Sequence, residues 1–144
     1  MNYPELGKSY LARYQIDLDV NSTCWGRTHS HGSIFSSKQL KRICKCELPK
    51  TRISLLTFLH EVGHIVHPQG GYKGTKDGNA AKTRGLAEYN ATQWALEEMR
   101  KNGVKAKRKQ VQAYNRYVTD KIARGIRRGG KVPKELQRLK PKTW

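Results

Sequence analysis

The chain has 144 residues, 36% hydrophobic and 28% charged, the balance of one folded domain and not of a collagen-like or low-complexity chain. No apolar run approaches a membrane span, and no basic start is followed by an apolar leader core, so a soluble, cytoplasmic protein without membrane contact is expected. Three cysteines, Cys24, Cys44 and Cys46, argue against a disulfide framework. The formal charge of +18 is unevenly spread: residues 100–144 hold 16 Lys and Arg against Asp120 and Glu135, which is +14, and the first 99 residues hold the remaining +4. A basic C-terminal third of this kind favours nucleic acid, an anionic surface or an acidic protein as partner.

In chain order, Pro4 and Glu5 open a short helix with Leu6, Tyr10 and Tyr14 on one face. Ile16, Asp17, Leu18, Asp19 and Val20 alternate with period two and predict a strand, closed by a turn at Asn21, Ser22 and Thr23. Residues 33–36 and 42–46 predict further short strands, with Cys44, Cys46 and Leu48 on one face. Thr51 caps a helix whose apolar residues, from Ile53 to Val66, cover most of its circumference, as in a central buried helix. Pro68, Gly70 and Gly71 end it, and residues 70–79 form a glycine-rich loop. A helix from Thr83 carries Leu86, Ala87, Ala91, Trp94, Ala95 and Met99 at helical spacing, with Gly103 as its C-cap. Val111, Tyr114, Val118, Ile122 and Ile126 mark an amphipathic helix up to Gly129 and Gly130, and Pro133 starts a last short helix through Leu139.

The chemistry concentrates in the central helix, which reads His60, Glu61, Val62, Gly63, His64. Positions i and i+4 lie one turn apart on one face, so two imidazoles there can share one zinc at about 2.0–2.1 Å. Glu61 then sits beside the metal and not on it, where it can take a proton from metal-bound water. The residues around this HExxH motif are uncharged, as burial requires. A catalytic zinc needs a third protein ligand. The candidates are Glu88 on the following helix, His67 one turn further along the first, and Asp77 in the loop. Geometry favours a ligand from a separate element, and Ala87 and Ala91 beside Glu88 permit close helix approach.

The HEVGH segment, the glycine loop, and then Glu88, Tyr89, Asn90, Ala91, Thr92, Gln93, Trp94 and Ala95 together resemble the gluzincin arrangement. Within it, the likeness is to the ImmA/IrrE-type metallopeptidases of bacteria, phages and mobile elements, over about residues 10–103. The resemblance implies His60, His64 and Glu88 as zinc ligands and Glu61 as general base. It implies a zinc-dependent metallopeptidase acting on a protein substrate, such as a DNA-binding repressor, in the host cytoplasm if phage-encoded. The glutamate segment departs from the family's Glu-Ala-Asn/Asp-x-Phe-Ala form, and the basic C-terminal third stands where the family has partner or sensor regions.

The expected fold is α+β: a small antiparallel sheet packed on the HExxH helix and a glutamate-bearing helix. Residues 1–103 would form the minimal zincin-like domain and residues 104–144 a basic helical extension. Tyr72, Tyr89, Arg84 and His67 are candidate oxyanion donors, and the 33–36 strand a candidate edge for an extended peptide. Cys24, His29, His31, Cys44 and Cys46 are a weaker second metal set, since their spacing matches no common structural zinc site. Tyr114 and Tyr117, between the basic runs at 105–109 and 124–128, could stack bases, although Tyr114 has the spacing of a core residue. Two rival readings are a nucleic-acid-binding protein with a structural zinc, and a phage or plasmid anti-defence protein using the fold as a binding surface.

Overall fold

The computed structural model describes residues 1–18, 42–44, 47–66 and 80–129. The first helix, α1 (Tyr3–Tyr14), begins where the Asn2 side chain accepts from the Glu5 amide at 3.1 Å, and Pro4 fits the first turn. It ends at Gln15, whose left-handed backbone (φ 54°) turns the chain into β1 (Ile16–Leu18). Strand β1 pairs with β2 (Arg42–Cys44), Ile16 opposite Arg42 and Leu18 opposite Cys44.

That pairing is parallel, and the strands are three residues each. The expected α+β fold with a small antiparallel sheet is therefore incorrect: among the described residues the architecture is helical, with four helices of 12 to 22 residues. Period-two alternation marks a strand but is the same for either direction of pairing; the connection decides that. Here residues 19–41 separate the two strands, a crossover length and not a hairpin turn. The 33–36 strand, Cys24, His29, His31 and Cys46 of the second metal set, and the helix at 133–139 lie outside the described residues, while the fifth member of that set, Cys44, ends β2.

Helix α2 (Arg52–Val66) starts with a reciprocal cap: Thr51 Oγ1 accepts from the Ser54 amide at 3.1 Å, and Ser54 Oγ accepts from the Thr51 amide at 2.9 Å. Every residue from Leu55 to Ile65 except Thr57 is buried, as the all-round apolar sequence demands. Leu55, Leu56, Phe58, Leu59 and Val62 form the centre of the core, with Tyr10 of α1 packed against them.

Helix α3 (Ala80–Lys101) starts three residues before Thr83 and ends in a Schellman turn, with the Val104 amide donating to Met99 O at 2.9 Å and the Gly103 amide to Arg100 O at 3.0 Å. Helix α4 (Arg108–Arg127) buries Val118, Ile122 and Gly125, and the first two pack with Tyr89 of α3. The facing residues give the helix directions. His60 meets Thr92 and His64 meets Glu88, so α2 and α3 are antiparallel. Gln110 reaches Ile53 O, Tyr117 reaches Glu88 and Ile122 meets Gly85, so α4 runs with α2 and against α3.

Two glycines set the spacing. A Cβ on Gly63 would stand 2.8 Å from Ala91 O, and one on Gly85 would stand 2.5 Å from Ile122 Cγ1. The helices touch where these side chains are missing, and that contact brings Glu88 up to α2. Among the described residues, no helix is long and apolar enough to cross a membrane.

Candidate metal centre

On α2, His60 and His64 point to the same side, their rings 4.6 Å apart, and α3 presents Glu88 between them. His60 Nε2 lies 2.9 Å from Glu88 Oε2, His64 Nε2 lies 3.2 Å from the same oxygen, and the two Nε2 atoms are 3.1 Å apart. In a tetrahedral zinc site with bonds of about 2.0–2.1 Å, ligand atoms stand about 3.3 Å from one another. The three atoms thus outline one face of such a site, slightly contracted. All three residues are buried, with 3%, 6% and 3% exposure.

The protonation pattern supports the same interpretation. Thr92, one turn after Glu88, donates its hydroxyl proton to Glu88 O at 2.9 Å. Its oxygen is then the acceptor for His60 Nδ1, also at 2.9 Å. With the Nδ1 proton spent on Thr92, a neutral His60 turns a lone pair at Nε2 toward the Glu88 carboxylate. Burial, the largest influence on His60, pushes its pKa down and outweighs the contact with Glu88 that acts the other way. Burial alone would raise Glu88, but its contacts with His60 and His64 hold the carboxyl well below the usual range. A neutral imidazole beside a carboxylate is the state that binds a metal. His60, His64 and Glu88 could hold one ion, and they are the one such cluster among the described residues.

Helix α4 closes one side of the centre. The Tyr114 ring lies over His60, centroids 4.8 Å apart and planes inclined by 32°. Burial pushes the Tyr114 hydroxyl up to about 12; its hydrogen bond with Thr57 acts the other way, and the Glu61 and Glu88 carboxylates add to the rise. The phenol is therefore neutral at physiological pH. Tyr117 Oη lies 3.5 Å from Glu88 Oε1, and this residue is 38% exposed, at the mouth of the centre. Glu61 follows His60 on α2 and is 6% exposed.

Of the third-ligand candidates, the structure brings Glu88 to the histidines, while His67 and Asp77 lie outside the described residues. Among the proposed oxyanion donors, Tyr89 is buried with Val118 and Ile122 in the α3–α4 contact. Tyr72, His67 and the Arg84 side chain lie outside the described residues. Sequence reasoning missed Thr92, whose signal was a hydroxyl four residues after the candidate ligand. It also missed that Tyr114 packs on His60 and that Tyr117 reaches Glu88. No family model matches the chain, and neither a curated protein nor a solved structure matches it. The ImmA/IrrE-type resemblance thus rests on the motif residues themselves.

Proposed function

We propose that the chain is a zinc-dependent metallopeptidase that hydrolyses a peptide bond in a protein substrate. The observation that carries this reading is the convergence of His60 Nε2, His64 Nε2 and Glu88 Oε2 within 3.2 Å of one another, with Glu61, the residue after His60, also buried. Among the described residues three protein ligands meet there, the number a catalytic zinc takes, whereas a structural zinc takes four. The bound metal would act as a Lewis acid and lower the pKa of a coordinated water toward about 7. Thr92 fixes the His60 tautomer, and Tyr114 holds the ring from its face. Glu61 takes the proton of the attacking water and returns it to the leaving amine. Tyr117, half in solvent and beside Glu88, is the donor we assign to the substrate carbonyl oxygen as charge develops there.

The test is a search for new N-termini, by mass spectrometry, in a denatured bacterial proteome incubated with zinc-loaded protein. The wild type generates them and the Glu61→Gln variant does not, while both hold equal zinc. Equal cleavage by the two proteins, or none by either, overturns the assignment.

A further inference from the structure

Helix α4 has two faces of different chemistry. Its inner face carries Val118 and Ile122 into the α3 contact and Tyr114 to His60. On the opposite side Lys109, Arg116 and Arg127 are all exposed, and their intervals of seven and eleven residues are near-whole numbers of turns. They form one line along the helix, about 27 Å from end to end at 1.5 Å per residue. Arg108, Arg124 and Arg128 flank that line, and Lys105 and Lys107 precede it, all exposed. The one acidic residue on the helix, Asp120, is paired with Arg124 at 3.1 Å. Between the cations stand the small Ala113 and Ala123 and the polar Gln112, so nothing bulky keeps a ligand from the surface.

We propose that this outer face of α4 binds nucleic acid through its phosphate backbone. A net positive face along nearly 30 Å, its one carboxylate paired with Arg124, matches the phosphate charge of about one duplex turn. An acidic protein partner fits less well. Protein interfaces centre on a buried aromatic or aliphatic anchor, and this face has none: the exposed large hydrophobic residues among the described ones are Met1, Ile53 and Tyr117, and Tyr117 is at the metal centre. Backbone binding by phosphate contacts needs no such anchor. Nucleic acid on this face lies about one helix diameter, 10–12 Å, from the candidate metal centre.

The experiment is fluorescence anisotropy of a labelled DNA duplex of about 20 base pairs with the full chain, between about 50 and 300 mM salt. One triple variant reverses Lys109, Arg116 and Arg127 to Glu. A control reverses Lys8, Arg13 and Arg100, which are exposed on α1 and at the end of α3, and so has the same net charge. The wild type binds, and the α4 variant loses at least about tenfold in affinity and about 2.7 from its log–log salt slope, near 0.9 per lost phosphate contact. The control keeps affinity within about threefold and an unchanged slope. A companion variant with Gln at the three α4 positions gives the same direction and covers any folding failure of the Glu variant. Equal losses in variant and control, no binding by the wild type near 150 mM salt, or competition by polyglutamate as strong as by unlabelled DNA would each overturn the proposal. None of these readouts depends on proteolysis, so the inference stands or falls apart from the peptidase reading.

Discussion

His60 and Thr92 share a hydrogen bond of 2.9 Å in which the threonine oxygen, its own proton given to Glu88 O, accepts from the imidazole Nδ1. One hydroxyl on α3 thereby dictates which nitrogen of an α2 histidine is free to meet a metal. Outer contacts of this kind are worth about 10–100-fold in metal affinity. Thr92→Val should lower zinc affinity by that factor while the helical circular dichroism is kept, and Thr92→Ser should retain most of it. A competition titration with a chromogenic chelator checks both. Unchanged affinity in Thr92→Val would show that the tautomer is set elsewhere.

Gly63 and Gly85 should respond differently to a methyl group. At Gly63 the new Cβ meets Ala91 O at 2.8 Å and Ala91 Cα at 3.1 Å, which are backbone atoms and cannot turn aside. Helices α2 and α3 must then part by some tenths of an ångström, at a cost of about 1–3 kcal/mol. Because Glu88 rides on α3, Gly63→Ala should weaken zinc binding as well as lower Tm. Gly85→Ala presses on Ile122 in the α3–α4 contact and should lower Tm with a smaller effect on zinc. Thermal unfolding and zinc titration of both variants make the comparison.

A second buried polar group braces the other end of α3. Tyr10 Oη donates to Glu98 Oε2 at 2.8 Å and accepts from Asn102 Nδ2 at 2.8 Å, while Lys101 Nζ reaches Glu98 Oε1 at 3.2 Å. Burial and the Glu98 carboxylate both raise the Tyr10 pKa, so the phenol keeps its proton. Tyr10→Phe leaves Glu98, which is 6% exposed, short of one donor and should destabilise by about 1–3 kcal/mol. Urea unfolding measures this. Zinc affinity should not change, since the network touches none of the three candidate ligands.

The metal-free protein should lose stability in acid in two stages. His60 has its pKa lowered from 6.5 in the fold, so below that pH the unfolded chain takes up a proton that the folded one resists. Glu88 is lowered from 4.5, so its contribution is complete above that value and is lost as the pH falls below it. Both slopes have the same sign, and unfolding free energy should fall from pH 6.5 downward, more steeply below 4.5. Urea titrations of wild type and Glu88→Gln between about pH 2.5 and 7 would show the second stage missing in the variant. A wild-type curve that rises toward acid would contradict this pattern.

The helices were legible because burial leaves a period. The apolar run of α2, the Thr51 cap, the Gly103 turn and the spacing from Val111 to Ile126 each have a local cause, and each has a counterpart in the structure. His60, His64 and Glu88 could be picked out because metal ligation restricts residue type and spacing together. The direction of the β1–β2 pairing was not legible, since alternation is silent about it. Nor were Tyr114 and Tyr117. Their spacing told which side of α4 they occupy, but what that side faces depends on how closely α3 and α4 meet, and Gly85 against Ile122 fixes that in three dimensions.

Zinc K-edge absorption on the stoichiometrically loaded protein tests directly whether His60, His64 and Glu88 hold zinc. The prediction is one zinc per chain in a first shell of nitrogen and oxygen only, with two imidazoles and no sulfur at about 2.3 Å. Glu88→Ala should lose the metal or show its oxygen replaced. Sulfur in the first shell, or a spectrum unchanged in Glu88→Ala, would place the metal elsewhere and contradict the account.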